Sequence, residues 1–301
     1  MKLITFAAPG RPGSRVGVLR GDSEVVDIAE IGGRPPFDAR DMLSLIERGE
    51  KALSWIRKRL NDVKSTIPLT SVELLAPIPR PRKNLFCVGW NYLEHFREGE
   101  KSRPHVQDMP AHPTFFSRAP TSLLAAYDDI PHDTRITEKL DWEAELGVII
   151  GIAGKNIAEV EAMKHVFGYT VMNDVSGRDV QRRHGQQWFK GKSLDGTCPM
   201  GPWIVTADEI EDPHNLAITC LLNGVTKQHS TTACMYFKLP RIIAELSLGM
   251  TLEAGDVILT GTPNGVGHAR TPPEFMKPGD VLETSIAGVG SLKNRVVSVV
   301  A

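Results

Sequence analysis

The stretch Asp141-Trp142-Glu143-Ala144-Glu145-Leu146-Gly147-Val148-Ile149-Ile150-Gly151 constrains the fold of this chain more than any other. In an extended backbone successive side chains alternate faces. Asp141, Glu143 and Glu145 therefore share one face, while Trp142, Ala144, Leu146, Val148 and Ile150 share the other. The apolar face predicts a strand laid on a core, which gathers the carboxylates on the opposite side. Glutamates two residues apart have Cα atoms roughly 6.5 to 7 Å apart at the strand rise. In an enclosed site such a pair is costly unless it is protonated or held by a cation. The segment reads as half of a metal site.

A chain of 301 residues, 41% hydrophobic and 24% charged, can bury a substantial core around such a strand, as one large domain or two of unequal size. Its formal net charge of -1 gives no electrostatic case for nucleic acid or an anionic membrane as partner. The apolar start, Met1 to Ala8, is shorter than a typical secretory signal core and runs into Pro9-Gly10-Arg11, so it reads as a first strand. No apolar stretch approaches the ~18 residues needed to cross a bilayer. Cys87, Cys198, Cys220 and Cys234 are far apart, with no Cys-x-x-Cys pair. Buried free thiols in a reducing cytoplasm are expected.

Residues 1–72 alternate β-like runs (Leu3 to Ala7, Val16 to Leu19, Val25 to Ile28) with helical spacing of apolar residues from Ala39 to Leu60. They are expected to form a small N-terminal α/β domain, and Ala76 to Arg82, rich in Pro, an extended linker. Residues 73–301 are rich in strands: Asn84 to Val88, Glu145 to Ile150, Gly168 to Met172, Trp203 to Thr206, Leu216 to Leu222, Val257 to Thr260, Val281 to Ile286 and Arg295 to Val300. Helices are predicted at Ile157 to His165, at Ser176 to Arg183 with Ser176 and Asp179 as a capping box, and at Leu239 to Leu248. Strands and helices do not alternate regularly, so the fold class is α+β and β-dominated.

Four further segments carry chemistry. Tyr169 to Asp174 is a strand ending in an acid just before a helix; Asp174 is either a third ligand or a simple helix-preceding Asp. Gln181, about two helical turns further on, can point at the same site. His95 and Glu98 stand at i and i+3, a spacing that in a helical turn lets a carboxylate orient an imidazole. Gly99 to Pro113, which follows, is polar and Pro-containing and can act as a lid. Gly185, Gly191, Lys192 and Ser193 imitate a phosphate loop, but the glycine spacing is one residue too long and bulky Trp188 and Phe189 intervene, so no nucleotide site is expected. Lys192 instead offers a positive donor for a substrate oxygen. The Gly-rich turn Thr260-Gly261-Thr262-Pro263-Asn264-Gly265 can hold a carboxylate or be a plain turn.

Together these segments resemble the fumarylacetoacetate hydrolase family. The pattern appears in order: Val88-Gly89-x-Asn91-Tyr92 with His95-x-x-Glu98; Glu143-x-Glu145-Leu146; Asn173-Asp174 with Arg178-Asp179-x-Gln181; Gly191-Lys192-Ser193; Cys198-Pro199-x-Gly201-Pro202; and Leu259-Thr260-Gly261-Thr262-Pro263-x-Gly265-Val266-Gly267. The resemblance implies a mixed β-sandwich roll for residues 73–301, a homodimer, and one divalent cation on Glu143, Glu145 and Asp174, with Mg²⁺ or Mn²⁺ expected and Ca²⁺ an alternative. It implies a small oxo-acid substrate and hydrolysis of a C–C bond in a 2,4-dioxo acid, with isomerisation or decarboxylation of a related oxo-acid as the alternative and a non-enzymatic cation-binding protein as the third. His95, polarised by Glu98, would activate water; Lys192 and Gln181 would bind oxygens near the metal; Thr262, with Thr260, would hold the carboxylate. Arg118 stands in a Phe-rich segment where many relatives have Lys, and is expected either on the surface or facing a distal acidic group. Asp141 is left out of the ligand set as a residue at the strand's start.

Overall fold

The computed structural model describes residues 1–100, 108–185 and 187–299. Two sheets dominate it. The larger follows the order Ile67–Pro68, Glu24–Asp27, Arg11–Arg20, Lys2–Ala8, Cys198–Thr206, Val166–Asn173, Ala144–Ile150, Val257–Leu259, Leu85–Gly89 and Thr114–Arg118. The smaller runs Val225–Thr231, Ala217–Leu222, Val281–Ile286, Gly290–Ser298 and Ile130–His132. Most pairings are antiparallel, but Val257–Leu259 lies parallel to Leu85–Gly89 and brings the Gly-rich turn beside the segment leading to His95. The fold is α+β and sheet-dominated, as expected.

The alternation in the acidic strand explains the layering. Ala144, Leu146, Val148 and Ile150 face a core shared with Ile218, Cys220 and Leu222 of the smaller sheet and Ile242, Ile243 and Leu246 of the helix Leu239–Ser247. Ile149, on the opposite face, packs with Met172, Val257 and Leu259 against a second core that includes Leu45, Ile46, Leu53 and Ile56. Each fully buried Leu, Ile or Val contributes roughly 1.5–3 kcal/mol. A strand buried on both faces can therefore carry two carboxylates into the interior, provided that they find partners.

The N-terminal segment is built into this scaffold. Lys2–Ala8 pairs with Arg11–Arg20 on one side, and on the other with Cys198–Thr206 through Lys2 and Leu3 and with Glu73–Leu75 through Thr5 to Ala7, so the larger sheet crosses the expected boundary at 72 and 73. The helical stretch from Ala39 to Leu60 is two helices, Met42–Arg48 and Glu50–Leu60, separated at Gly49, whose φ of 50° no continuous helix allows. The expected Ile157 to His165 helix is a 3₁₀ segment, Glu159–His165. The helix expected from Ser176 begins at Arg178 without the capping box: Ser176 donates to the Asp174 carbonyl at 2.8 Å, and Asp179 accepts from Thr137 and Glu138. Of the cysteines, Cys234 is exposed, contrary to expectation, and the other three are buried free thiols. No helix among the described residues is long and apolar enough to cross a membrane. Residues 101–107 of the expected lid lie outside the described residues.

Candidate active site

Strand register gathers the acidic cluster. Ala144 pairs with Asn173 and Glu145 with Met172, which sets Asp174 opposite Glu143, and the Asp174 amide donates to the Glu143 carbonyl at 2.8 Å. Asn173 fixes this corner, accepting from the Glu143 amide at 3.0 Å and donating to Thr284 at 2.9 Å. The result is a group of three buried carboxylates, Glu143, Glu145 and Asp174, with ligand atoms all within 4.8 Å of one another.

Cations surround two of the three. The Lys192 ammonium bridges Glu143 Oε2 at 2.7 Å and Asp174 Oδ2 at 2.6 Å, and Arg178 donates to Glu143 Oε1 at 2.5 Å. Burial pushes the Glu143 carboxyl up, but Lys192 and then Arg178 outweigh it and hold it below the ordinary carboxylate range. Glu145 has a backbone donor instead, the Gly261 amide at 2.7 Å. Burial, with Asp174 and Glu143 adding repulsion, raises its carboxyl well above the usual value. Three oxygen donors with an unrelieved excess of negative charge at one of them fit a hard divalent cation. Those residues would hold it.

Arg118 corrects the sequence reading. It is fully buried and lies behind Asp174, pairing with Asp174 Oδ1 and donating to the carbonyls of Val175 at 3.1 Å and Thr197 at 3.0 Å. It is neither a surface residue nor a lining residue of the cavity, because its guanidinium is consumed in anchoring the third carboxylate. Thr260 is likewise not in the cavity wall: its hydroxyl donates to the Leu146 carbonyl at 2.9 Å and ties two strands together.

A cavity of about 530 Å³ opens over the cluster, a size suited to a small molecule. His95, Glu143, Glu145, Gln181, Lys192 and Thr262 all reach it. His95 lies on the short helix Leu93–Glu98, and its Nδ1 is 2.8 Å from Glu98 Oε1, the contact expected from the i, i+3 spacing. The other Glu98 oxygen accepts from the Gly265 amide at 2.8 Å, so the Gly-rich turn fixes the carboxylate that fixes the imidazole. Gly265 is required there: its φ is +105°, and an added Cβ would come 2.2 Å from the Lys227 carbonyl. Asn91 holds the start of this segment, donating to the Thr260 and Phe237 carbonyls and accepting from the Phe237 amide. Trp90, Phe116 and Trp188 form an edge-to-face aromatic wall, with ring centroids of Trp90 and Trp188 5.0 Å apart and of Phe116 and Trp188 5.2 Å apart.

Sequence reasoning missed three residues. Gln228 is buried; it accepts from the Ala144 amide at 2.9 Å and donates to Thr262 at 2.8 Å, joining the acidic strand to the Gly-rich turn. It lies on a strand, Val225–Thr231, whose polar composition gave no periodicity to read. Arg178 and His268 also line the cavity. Arg178 was visible only as part of a motif, and nothing in the sequence marked His268.

The sequence profile described as Fumarylacetoacetate (FAA) hydrolase C-terminal matches residues 84–297. The chain belongs to the fumarylacetoacetate hydrolase family. Its similarity to family members runs over almost the whole length. Oxaloacetate tautomerase YisK of Bacillus subtilis (strain 168) is 38% identical over 294 residues, covering 93% of this chain and 95% of that protein. The mitochondrial oxaloacetate tautomerase FAHD2A of Bos taurus is 41% identical over 300 residues, covering 99% of this chain and 92% of that protein. Among solved structures, maleylpyruvate hydrolase from Sphingobium sp. SYK-6 in complex with manganese(II) ion and pyruvate superposes with a TM-score of 0.79 at 31% identity, covering 99% of each chain. As a member of this family the protein is an enzyme, and its buried Glu143, Glu145 and Asp174 group is suited to bind a metal.

A close approach of two helices sets the remaining family residues. A Cβ on Gly191 would stand 2.4 Å from the Gln181 amide nitrogen and 2.5 Å from its Cα, so only glycine lets Phe189–Lys192 cross Arg178–Arg183. Lys192 and Gln181 reach the same cavity because of that crossing. Gly191→Ala is expected to destabilise the protein by about 1–3 kcal/mol through overpacking. Denaturant titration checks this, and an unchanged midpoint would contradict it.

Proposed function

We propose that the protein interconverts the keto and enol forms of a short 2-oxo acid bearing a second carboxylate, with oxaloacetate as the nearest example. The observation that carries this reading is an oriented imidazole, His95 on Glu98, sharing one cavity with Glu143 and Glu145 of the group they form with Asp174. The relatives named oxaloacetate tautomerases support it and move the weight from C–C hydrolysis to the isomerase alternative.

When bound, Mg²⁺ or Mn²⁺ at the acidic group supplies a Lewis acid that polarises a 2-oxo acid and makes its C3 hydrogens easier to remove. The chain's own residues supply the rest. His95 takes a proton from C3 or returns one, with Glu98 fixing its ring. Lys192 and Arg178 bring positive charge to a cavity that must admit a dianion, and Gln181 and Thr262 offer polar contacts beside it. Trp90, Phe116 and Trp188 limit water at the reacting carbon. Keto–enol exchange moves one proton and needs no attacking water.

Hydrolysis of a 2,4-dioxo acid is the second reading, favoured by the likeness to the maleylpyruvate hydrolase that holds manganese and pyruvate. In that reaction His95 would activate water instead. The proposal includes a homodimer in a reducing compartment such as the cytoplasm. Ile152, Val160 on the 3₁₀ segment and Leu248 are exposed near the Asn156 to Ser247 hydrogen bond, and a second copy would cover them. The test follows the ultraviolet absorbance of enol-oxaloacetate with Mn²⁺ present, beside a panel of acylpyruvates. Accelerated loss of the enol signal without cleavage is expected; cleavage of acylpyruvates with no effect on oxaloacetate would replace this reading with the hydrolase.

A further inference from the structure

The segment from Gly261 to His268 holds a third carboxylate besides Glu145 and Glu98. Asp141, fully buried, accepts from the Gly267 amide at 2.6 Å, the His268 amide at 3.0 Å and Arg178 Nε at 2.8 Å. Its Oδ2 also lies 3.1 Å from His268 Nδ1. His268 lines the same cavity as His95. Two carboxylate-oriented imidazoles therefore meet one cavity, and amides two residues apart on one turn, those of Gly265 and Gly267, fasten their carboxylates.

We propose that His268, oriented by Asp141, is a second proton-transfer residue of the site, working with the His95–Glu98 pair; this rests on the tautomerase reading. Asp141 is tied to Arg178 and to backbone amides, so it is an acceptor toward His268. Nδ1 must then carry the hydrogen, which leaves Nε2 as the free lone pair. Among the described residues Nε2 has no hydrogen-bond partner. The charged groups acting on the ring are Asp141, Arg178 and Glu143, and burial followed by Arg178 lowers its pKa, which favours the neutral base.

In the ketonising direction the enol O–H bond breaks and its proton passes to Nε2 of His268. The freed pair becomes the C2=O bond, and the C2=C3 pair takes the proton carried by His95 to form C3–H. A proton returns from His268 to His95 through water, so the enzyme ends as it began and no other reactant is consumed.

His268→Gln keeps a donor for Asp141 but cannot carry a proton. It is expected to slow oxaloacetate tautomerisation by about 100-fold with Mn²⁺ affinity within about threefold of wild type, and 4-methylimidazole is expected to restore part of the rate to His268→Ala. A structural role would not respond to 4-methylimidazole. A His268→Gln rate within threefold of wild type, or His268→Ala with no recovery, overturns the proposal. Deuterium wash-in at C3 of pyruvate separates this from failure of the tautomerase reading, since it requires only enolisation. If wild type exchanges pyruvate but ignores oxaloacetate, the function falls while slower wash-in by His268→Gln still supports His268. Equal wash-in by the two proteins, or none by wild type, overturns it.

Discussion

His95→Gln lowers turnover by about 10²–10⁴-fold while leaving Mn²⁺ binding close to that of wild type. The magnitude is that of losing a positioned general acid–base group. The separation of the two effects follows from geometry: the carboxylate oxygens of Glu143, Glu145 and Asp174 would hold the ion, and His95 lies on a different element, the helix Leu93–Glu98, with Glu98 as its hydrogen-bond partner. Glu98→Gln keeps an acceptor for His95 but removes the negative charge beside its ring. Its rate should fall less than that of His95→Gln, because the imidazole remains. Steady-state rates beside calorimetric Mn²⁺ titrations check both, and a wild-type rate in His95→Gln would remove the proposed proton carrier.

Arg118→Met destabilises the protein by about 3–5 kcal/mol, the scale seen when one partner of a buried ion pair is removed. Its guanidinium is fully buried, pairs with Asp174, and satisfies the carbonyls of Val175 and Thr197. Lys192 still reaches the other Asp174 oxygen, so the carboxylate would not lose every partner. It would lose the side of its cage that fixes its direction. Arg118→Lys restores charge without the planar fork, so it should recover only part of the loss. Urea titration measures both variants; a stability change below 1 kcal/mol for Arg118→Met would show that Arg118 does not hold this corner.

Much of the site was legible because strand periodicity is short and strict. Glu143 and Glu145 had to share a face, and their register with the Val166–Asn173 strand puts Asp174 beside them. The His95–Glu98 contact followed from helical spacing for the same reason. Residues whose partners come from distant elements were not legible in this way. Arg118 ends a Phe-rich segment and is followed by Ala119-Pro120, and only tertiary packing buries it against Asp174, 56 positions later. Thr260 and Thr262 lie two apart in one turn, yet only Thr262 reaches the cavity, since Thr260 is spent on the Leu146 carbonyl. Asp141 shares a face with the two glutamates, but Arg178, Gly267 and His268 draw it into the Gly-rich turn and away from the metal group.

The strands read from the sequence are present, with ends shifting by one or two residues and further in Arg11–Arg20, Cys198–Thr206 and Gly290–Ser298, but Thr114–Arg118, Ile130–His132 and Val225–Thr231 were not legible. A composition change near Pro77 to Pro81 looks like a linker, but Lys2–Ala8 adds to the same sheet as Cys198–Thr206, an association that no local pattern encodes.

The most direct test is to strip the purified protein with a chelator, then restore Mg²⁺ or Mn²⁺ while following oxaloacetate tautomerisation and acylpyruvate cleavage together. The Glu143, Glu145 and Asp174 site predicts that activity falls on stripping and returns with the ion in wild type, but not in Asp174→Asn. Full activity in the verified metal-free protein would contradict it.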